Sequence, residues 1–162
     1  MPRVVSLPNA ALIEEVRRLV SEGHSVTLSV RGVSMRPFLE DRRDKAIIAP
    51  CADPHKGDAV LAEVAPGKYV LHRVIGMDGD RLVLMGDGNV AGVELCRRSD
   101  VIGRATGFLR KGRTVPDATD GLKWRLYSTV WTRLRPVRRY LLAFYRLVWL
   151  KLFSSSYPYE KP

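Results

Sequence analysis

The sequence predicts a mainly β protein: a compact, coiled β-sheet body of barrel-like character, with an N-terminal helix and a C-terminal basic amphipathic helical extension. Three observations carry this. Six short runs between residues 26 and 110 have strand character, with Gly, Pro, Asn or Asp clusters between them. Almost nothing in that span repeats at helical period. Outside it, residues 9–23 and 122–153 carry apolar residues at helical spacing. The expected organisation is an N-terminal amphipathic helix in 1–24, a β domain over 25–115, and a basic, aromatic helical extension with a flexible tail over 116–162.

Leu12, Ile13, Val16, Leu19 and Val20 line one stripe of the first helix. Asn9 suits its N-cap and Gly23 its C-cap. Val26–Val30 alternates apolar and polar, a half-buried strand that leads into Gly32-Val33-Ser34-Met35-Arg36-Pro37. Pro37 removes a backbone donor and restricts Arg36 to extended geometry, so Ser34 is expected on a rigid corner. Lys45–Ala49, Asp58–Val64, Lys68–Met77, Arg81–Met85 and Val101–Arg110 supply the remaining strands. Asp78-Gly79 is a strong hairpin signal. The polar stretch Lys111–Asp120 reads as a linker. Beyond it, Leu122, Leu126, Val130 and Leu134 recur at fours, and Pro136 suits the first turn of a second helix. The tail Ser154–Pro162 is expected to be disordered.

The chemistry concentrates at two places. Ser34 ends the first strand at a punctuated turn, and His72 interrupts an apolar strand. Each alone is ordinarily structural. Together they make a nucleophile and base, because a serine hydroxyl attacks a carbonyl at neutral pH only when a neighbour takes its proton, and imidazole titrates in the right range. A strand holds a base firmly, and apolar neighbours should keep it neutral. The N–H of Ser34 or of a neighbour is the expected oxyanion donor. Met35 and Pro37 flank the serine as candidate substrate contacts, although an apolar side chain in Met35's position is more often core.

Residues 32–39 resemble the SxMxP box of the LexA/type I signal peptidase superfamily, in which the serine is the nucleophile. His72-Arg73-Val74-Ile75 resembles the corresponding box of the endoplasmic-reticulum and archaeal branch, which has His where the other branches carry a catalytic Lys. Met85-Gly86-Asp87-Gly88-Asn89 is similar to that branch's GDxN box, and residues 100–108 to its last strand. The four boxes run in order over residues 26–110, about half the chain. The resemblance implies the signal peptidase/LexA catalytic fold, a Ser34–His72 mechanism, and extended peptide substrates with small residues near the cut. The branch's third catalytic residue, an Asp a few residues after GDxN, has no direct match, since the chain reads Val90-Ala91-Gly92-Val93-Glu94 there. Asp87 and Glu94 are both placed to orient His72, with Asp87 slightly ahead for lying in the matching box. Asp100 is expected to be structural.

Charge and cysteine content narrow the partners. Eight Lys or Arg and no acidic residue fall within 121–153, which leaves +2 of the net +10 for the rest of the chain. A basic helix bearing Trp is the pattern of one lying on a membrane surface, ahead of a partner or dimer contact. Nucleic acid is not expected, because Trp, Leu and Phe are too dense for a phosphate-binding face. Cys51 and Cys96 have no CxxC spacing, and His24 and His55 are scattered, so neither a metal nor a cofactor is expected. Residues 1–11 lack the apolar core of a secretory signal, no run of 18 apolar residues occurs, and the relatives' anchor before the serine box has no counterpart. The expected location is cytoplasmic, peripheral on the cytosolic membrane face.

The functional expectation is a serine endopeptidase that processes a peptide or protein precursor. Its alternative is a non-catalytic, peptide-binding or membrane-associated module that keeps the fold. Self-cleavage is disfavoured, since the first 30 residues hold no Ala-Gly or Cys-Gly bond. Substrate and oligomeric state are not legible.

Overall fold

The computed structural model describes residues 9–153; the predicted tail and the first eight residues lie outside the described part. The chain folds as an eight-stranded antiparallel sheet with helices at both ends. Helix α1 (Asn9–Ser21) is followed by β1 (Val26–Ser29), β2 (Lys45–Ala49), β3 (Ala59–Ala65), β4 (Lys68–Asp78) and β5 (Arg81–Met85). Then come β6 (Glu94–Arg97), β7 (Val101–Leu109), β8 (Asp117–Ala118) and α2 (Leu122–Arg133). The described part ends in a helical run made of α3 (Arg138–Phe144), a π turn (Tyr145–Trp149) and α4 (Leu150–Phe153).

The strand order is β1-β2-β7-β3-β4-β5-β6, with β8 added to β7. Register irregularities break the ladder on β2, β3 and β4, and such bulges bend a strand and raise its twist. The hairpin predicted at Asp78-Gly79 is present: Asp78 pairs with Arg81, and Gly79 takes the positive φ that the turn needs. Two apolar clusters form. One gathers Val16 and Val20 of α1, Met35, Phe38 and Leu39 of the serine loop, and Phe108 with Trp124. The other gathers Val60, Val74, Leu82, Leu84 and Cys96.

Three expectations need correction. The predicted linker carries β8, a two-residue strand too short to leave a periodic trace in sequence; its Asp117 forms ion pairs with Arg110, Arg113 and Lys123. Strand β6 is likewise absent from the sequence reading. On α2 the apolar stripe at fours faces outward: Leu122 and Leu126 are exposed, while Trp124, Ser128 and Trp131 are buried. The aromatic side wins the core because each large ring removes more apolar area from water than a leucine does. The aromatic side of α2 therefore packs on the β body, and Trp124 sits within its first cluster.

Candidate active site

The serine corner is built by backbone geometry. After β1, Gly32 adopts φ +82°, its N–H donates to Asp41 Oδ1 at 2.8 Å, and Arg36 N–H closes a turn on Val33 O at 3.1 Å. The Arg36–Pro37 bond is cis. Leu39 is fully buried and Ser34 half-exposed, so the loop is pinned by its later residues and presents its hydroxyl residue.

The glycine turn 86–89 fits against this corner. Gly88 N–H donates to Ser34 O at 2.7 Å. A Cβ on Gly86 would stand 3.0 Å from Ser34 Cβ and closer still to the Ser34 carbonyl oxygen, and one on Gly88 would stand 2.6 Å from Val33 O. Both positions need glycine because backbone approaches backbone there. Met85, just before the turn, pairs with Arg73, the residue after His72. The strand pairing thus carries the Ser34 contact to the end of β5, beside His72. Among the described residues no hydrogen bond joins Ser34 to His72.

His72 and Arg73 point to opposite faces of β4, as neighbours on a strand must. His72 is 4% exposed, and its Nδ1 lies 3.0 Å from Glu94 Oε2. Glu94 opens β6, where it pairs with Leu84 of β5, so three adjacent strands set this contact. Burial holds the His72 pKa below its ordinary value, against the opposing pull of the Glu94 carboxylate. The ring is therefore neutral at pH 7. With its Nδ1–H donated to Glu94, the tautomer leaves Nε2 as the acceptor.

Asp87, slightly favoured from sequence, does not hold His72. Its carboxylate is taken on the other face by Arg73, with Nε to Oδ1 at 2.8 Å and Nη2 to Oδ2 at 2.6 Å. Both side chains are essentially inaccessible, at 0% and 1%. A buried guanidinium needs a carboxylate in this two-pronged geometry, and Asp87 supplies it. Arg73 Nη1 also donates to Gly57 O at 2.9 Å and to Ser128 Oγ, and the guanidinium lies 4.4 Å from the Trp124 ring centroid. Trp131 Nε1–H donates to Asp87 O at 3.0 Å. The glycine turn is thereby tied to α2.

Met35 is corrected as well: at 2% exposed, it lies in the first apolar cluster with Phe38 and Leu39 and offers a substrate nothing. Pro37 lines a cavity of about 570 Å³ with Phe38, Arg110, Trp124 and Tyr127. Asp100 accepts from Arg97 N–H at 2.7 Å, the structural role expected of it. Among the described residues no group of His, Cys, Asp and Glu side chains could hold a metal ion. Both cysteines are free thiols, and burial raises the pKa of each.

Sequence missed Arg73 as the organiser of the opposite face. Its signal is an arginine inside an apolar strand run, a charge that must find a buried partner. No protein-family model and no curated protein matches this chain.

Proposed function

We propose that the protein is a serine endopeptidase with the catalytic arrangement of the LexA/type I signal peptidase superfamily, Ser-His branch, and that Glu94 completes its triad. The observation that carries this reading is the buried His72 with Nδ1 on a carboxylate. That is how a strand-borne imidazole is prepared to accept a proton at Nε2.

In this mechanism Ser34 Oγ attacks the scissile carbonyl carbon as its proton passes to His72 Nε2. The Glu94 carboxylate stabilises the imidazolium that forms. The same proton then goes to the departing amine, and the C–N bond breaks. Water, deprotonated by His72, hydrolyses the acyl-enzyme and restores Ser34. Among the described residues the Ser34 N–H makes no backbone hydrogen bond, and it would donate to the oxyanion. Donors of this kind are worth about 3–4 kcal/mol in the transition state. The substrate would be an extended peptide segment of a precursor, with small residues near the cut.

The test is covalent capture. The purified chain is incubated with a fluorophosphonate or a peptide aldehyde, beside Ser34→Ala and His72→Ala. Adduct mass on the Ser34 peptide, lost in both variants, supports the enzyme. A wild-type chain that stays unlabelled, or a Ser34→Ala chain labelled equally well, overturns it in favour of a non-catalytic module.

A further inference from the structure

The helical run over 138–153 is fixed to the body along one side. Arg138, 1% exposed, donates to Trp131 O at 3.0 Å and Asn89 O at 3.4 Å. Leu142 is buried one turn later, and Tyr145 donates its hydroxyl to Glu40, which pairs with Arg36 of the serine loop. The opposite side is left apolar: Tyr140, Leu141, Phe144, Leu147, Val148 and Leu152 are exposed, Phe144 at 59% and Leu147 at 63%. A helix on a globular protein ordinarily turns such a stripe toward the core. Here the core side is already occupied, and the stripe on α2 also faces outward through Leu122, Leu126 and Val130. Contiguous exposed apolar surface marks an interaction site.

We infer that this face is seated on the surface of an anionic lipid bilayer, with the 138–153 run lying in the plane of the interface. Charge selects the occupant. Arg139, Arg146 and Lys151 flank the stripe, Arg125 and Arg133 accompany the one on α2, and no acidic residue occurs anywhere in 121–153. A second copy docking by the same face would bring two positive patches together, which opposes association. Nucleic acid would meet leucine and phenylalanine where phosphate contacts are needed. A bilayer with anionic headgroups satisfies both features, since apolar side chains enter the acyl boundary while Arg and Lys stay among the phosphates. Among the described residues no helix is long and apolar enough to cross a membrane. This inference does not depend on the peptidase reading.

The 162-residue chain is sedimented with vesicles of phosphatidylcholine alone and with vesicles of phosphatidylcholine and phosphatidylglycerol in equal parts. The expected result is co-sedimentation with the anionic vesicles only, weakened by added salt. The double variant Phe144→Asp/Leu147→Asp, whose sites are exposed, keeps its thermal midpoint and loses binding by about tenfold or more. Arg139→Gln/Arg146→Gln loses binding in the same direction. The inference is overturned if the chain stays in the supernatant with both vesicles, or if the Asp variant sediments as well as the parent. It is overturned too if sedimentation velocity shows a dimer, dissolved by the Asp variant, while no vesicle binds.

Discussion

At the residue scale, two carboxylates seven positions apart have different work, and the burial of their partners decides which does what. Glu94 meets a buried ring that is neutral at pH 7, while Asp87 meets a fully buried cation. Glu94→Gln should therefore leave the thermal midpoint nearly unchanged and slow acylation of Ser34 by about 10²–10⁴-fold, less than Ser34→Ala does. Rates of probe labelling in the two variants check this. His72 adds a pH signature. Its folded pKa lies below its ordinary value because burial disfavours the charged ring. Above about pH 6.5 the ring is neutral in both folded and unfolded chains, and its contribution to stability is flat. As pH falls below that, the unfolded chain takes up a proton that the folded ring resists, so stability falls until the folded pKa is reached. The acid limb of the labelling rate should accordingly lie below pH 6.5, and it should move in His72-adjacent variants such as Glu94→Gln. The serine and histidine of the proposed site are singled out in sequence by residue type and box spacing. The choice of acid was not, since it turns on strand β6, whose four residues Glu94–Arg97 alternate too briefly to announce themselves.

At the element scale, the site is a meeting of a loop, a strand and a turn, and the turn is the tightest joint. Gly86 lets the backbone just after β5 pass against Ser34, which any Cβ would contest. Gly86→Ala should displace the serine corner, cost about 1–3 kcal/mol of stability, and abolish labelling of Ser34; urea unfolding and adduct mass measure both. Strands were readable from apolar runs set between turn signals, β2, β4 and β5 nearly to the residue. Helix α2 was readable as a helix but not in its orientation. Periodicity reports that a stripe exists, whereas the side that packs is chosen by what already lies beneath, here the Arg73 guanidinium under Trp124 and Tyr127.

At the scale of the whole molecule, sheet and C-terminal helices share one buried ion pair. Arg73 lies on β4 and Asp87 on the turn after β5, yet Ser128, Tyr127 and Trp131 of α2 complete their surroundings. Arg73→Met would strand a buried carboxylate and should destabilise the fold by about 3–5 kcal/mol, read as a lower midpoint of chemical unfolding with no selective loss at Ser34. A chain cut after Asp120 would uncover the same pair, so substitutions on the outer helix face are the cleaner probe of what docks there. The sequence expected a β body and a basic, aromatic extension facing a membrane surface; Trp124 and Trp131 of that extension are instead buried against the body.

The three indoles are divided between these two surroundings. Trp124 and Trp131 are enclosed beside the ion pair, and Trp149 stands on the outward helix. Intrinsic emission therefore carries two separable colours of information: a red shift on denaturant reports the enclosed pair meeting water, and a blue shift on adding vesicles, absent in Trp149→Phe, reports the outer ring leaving it.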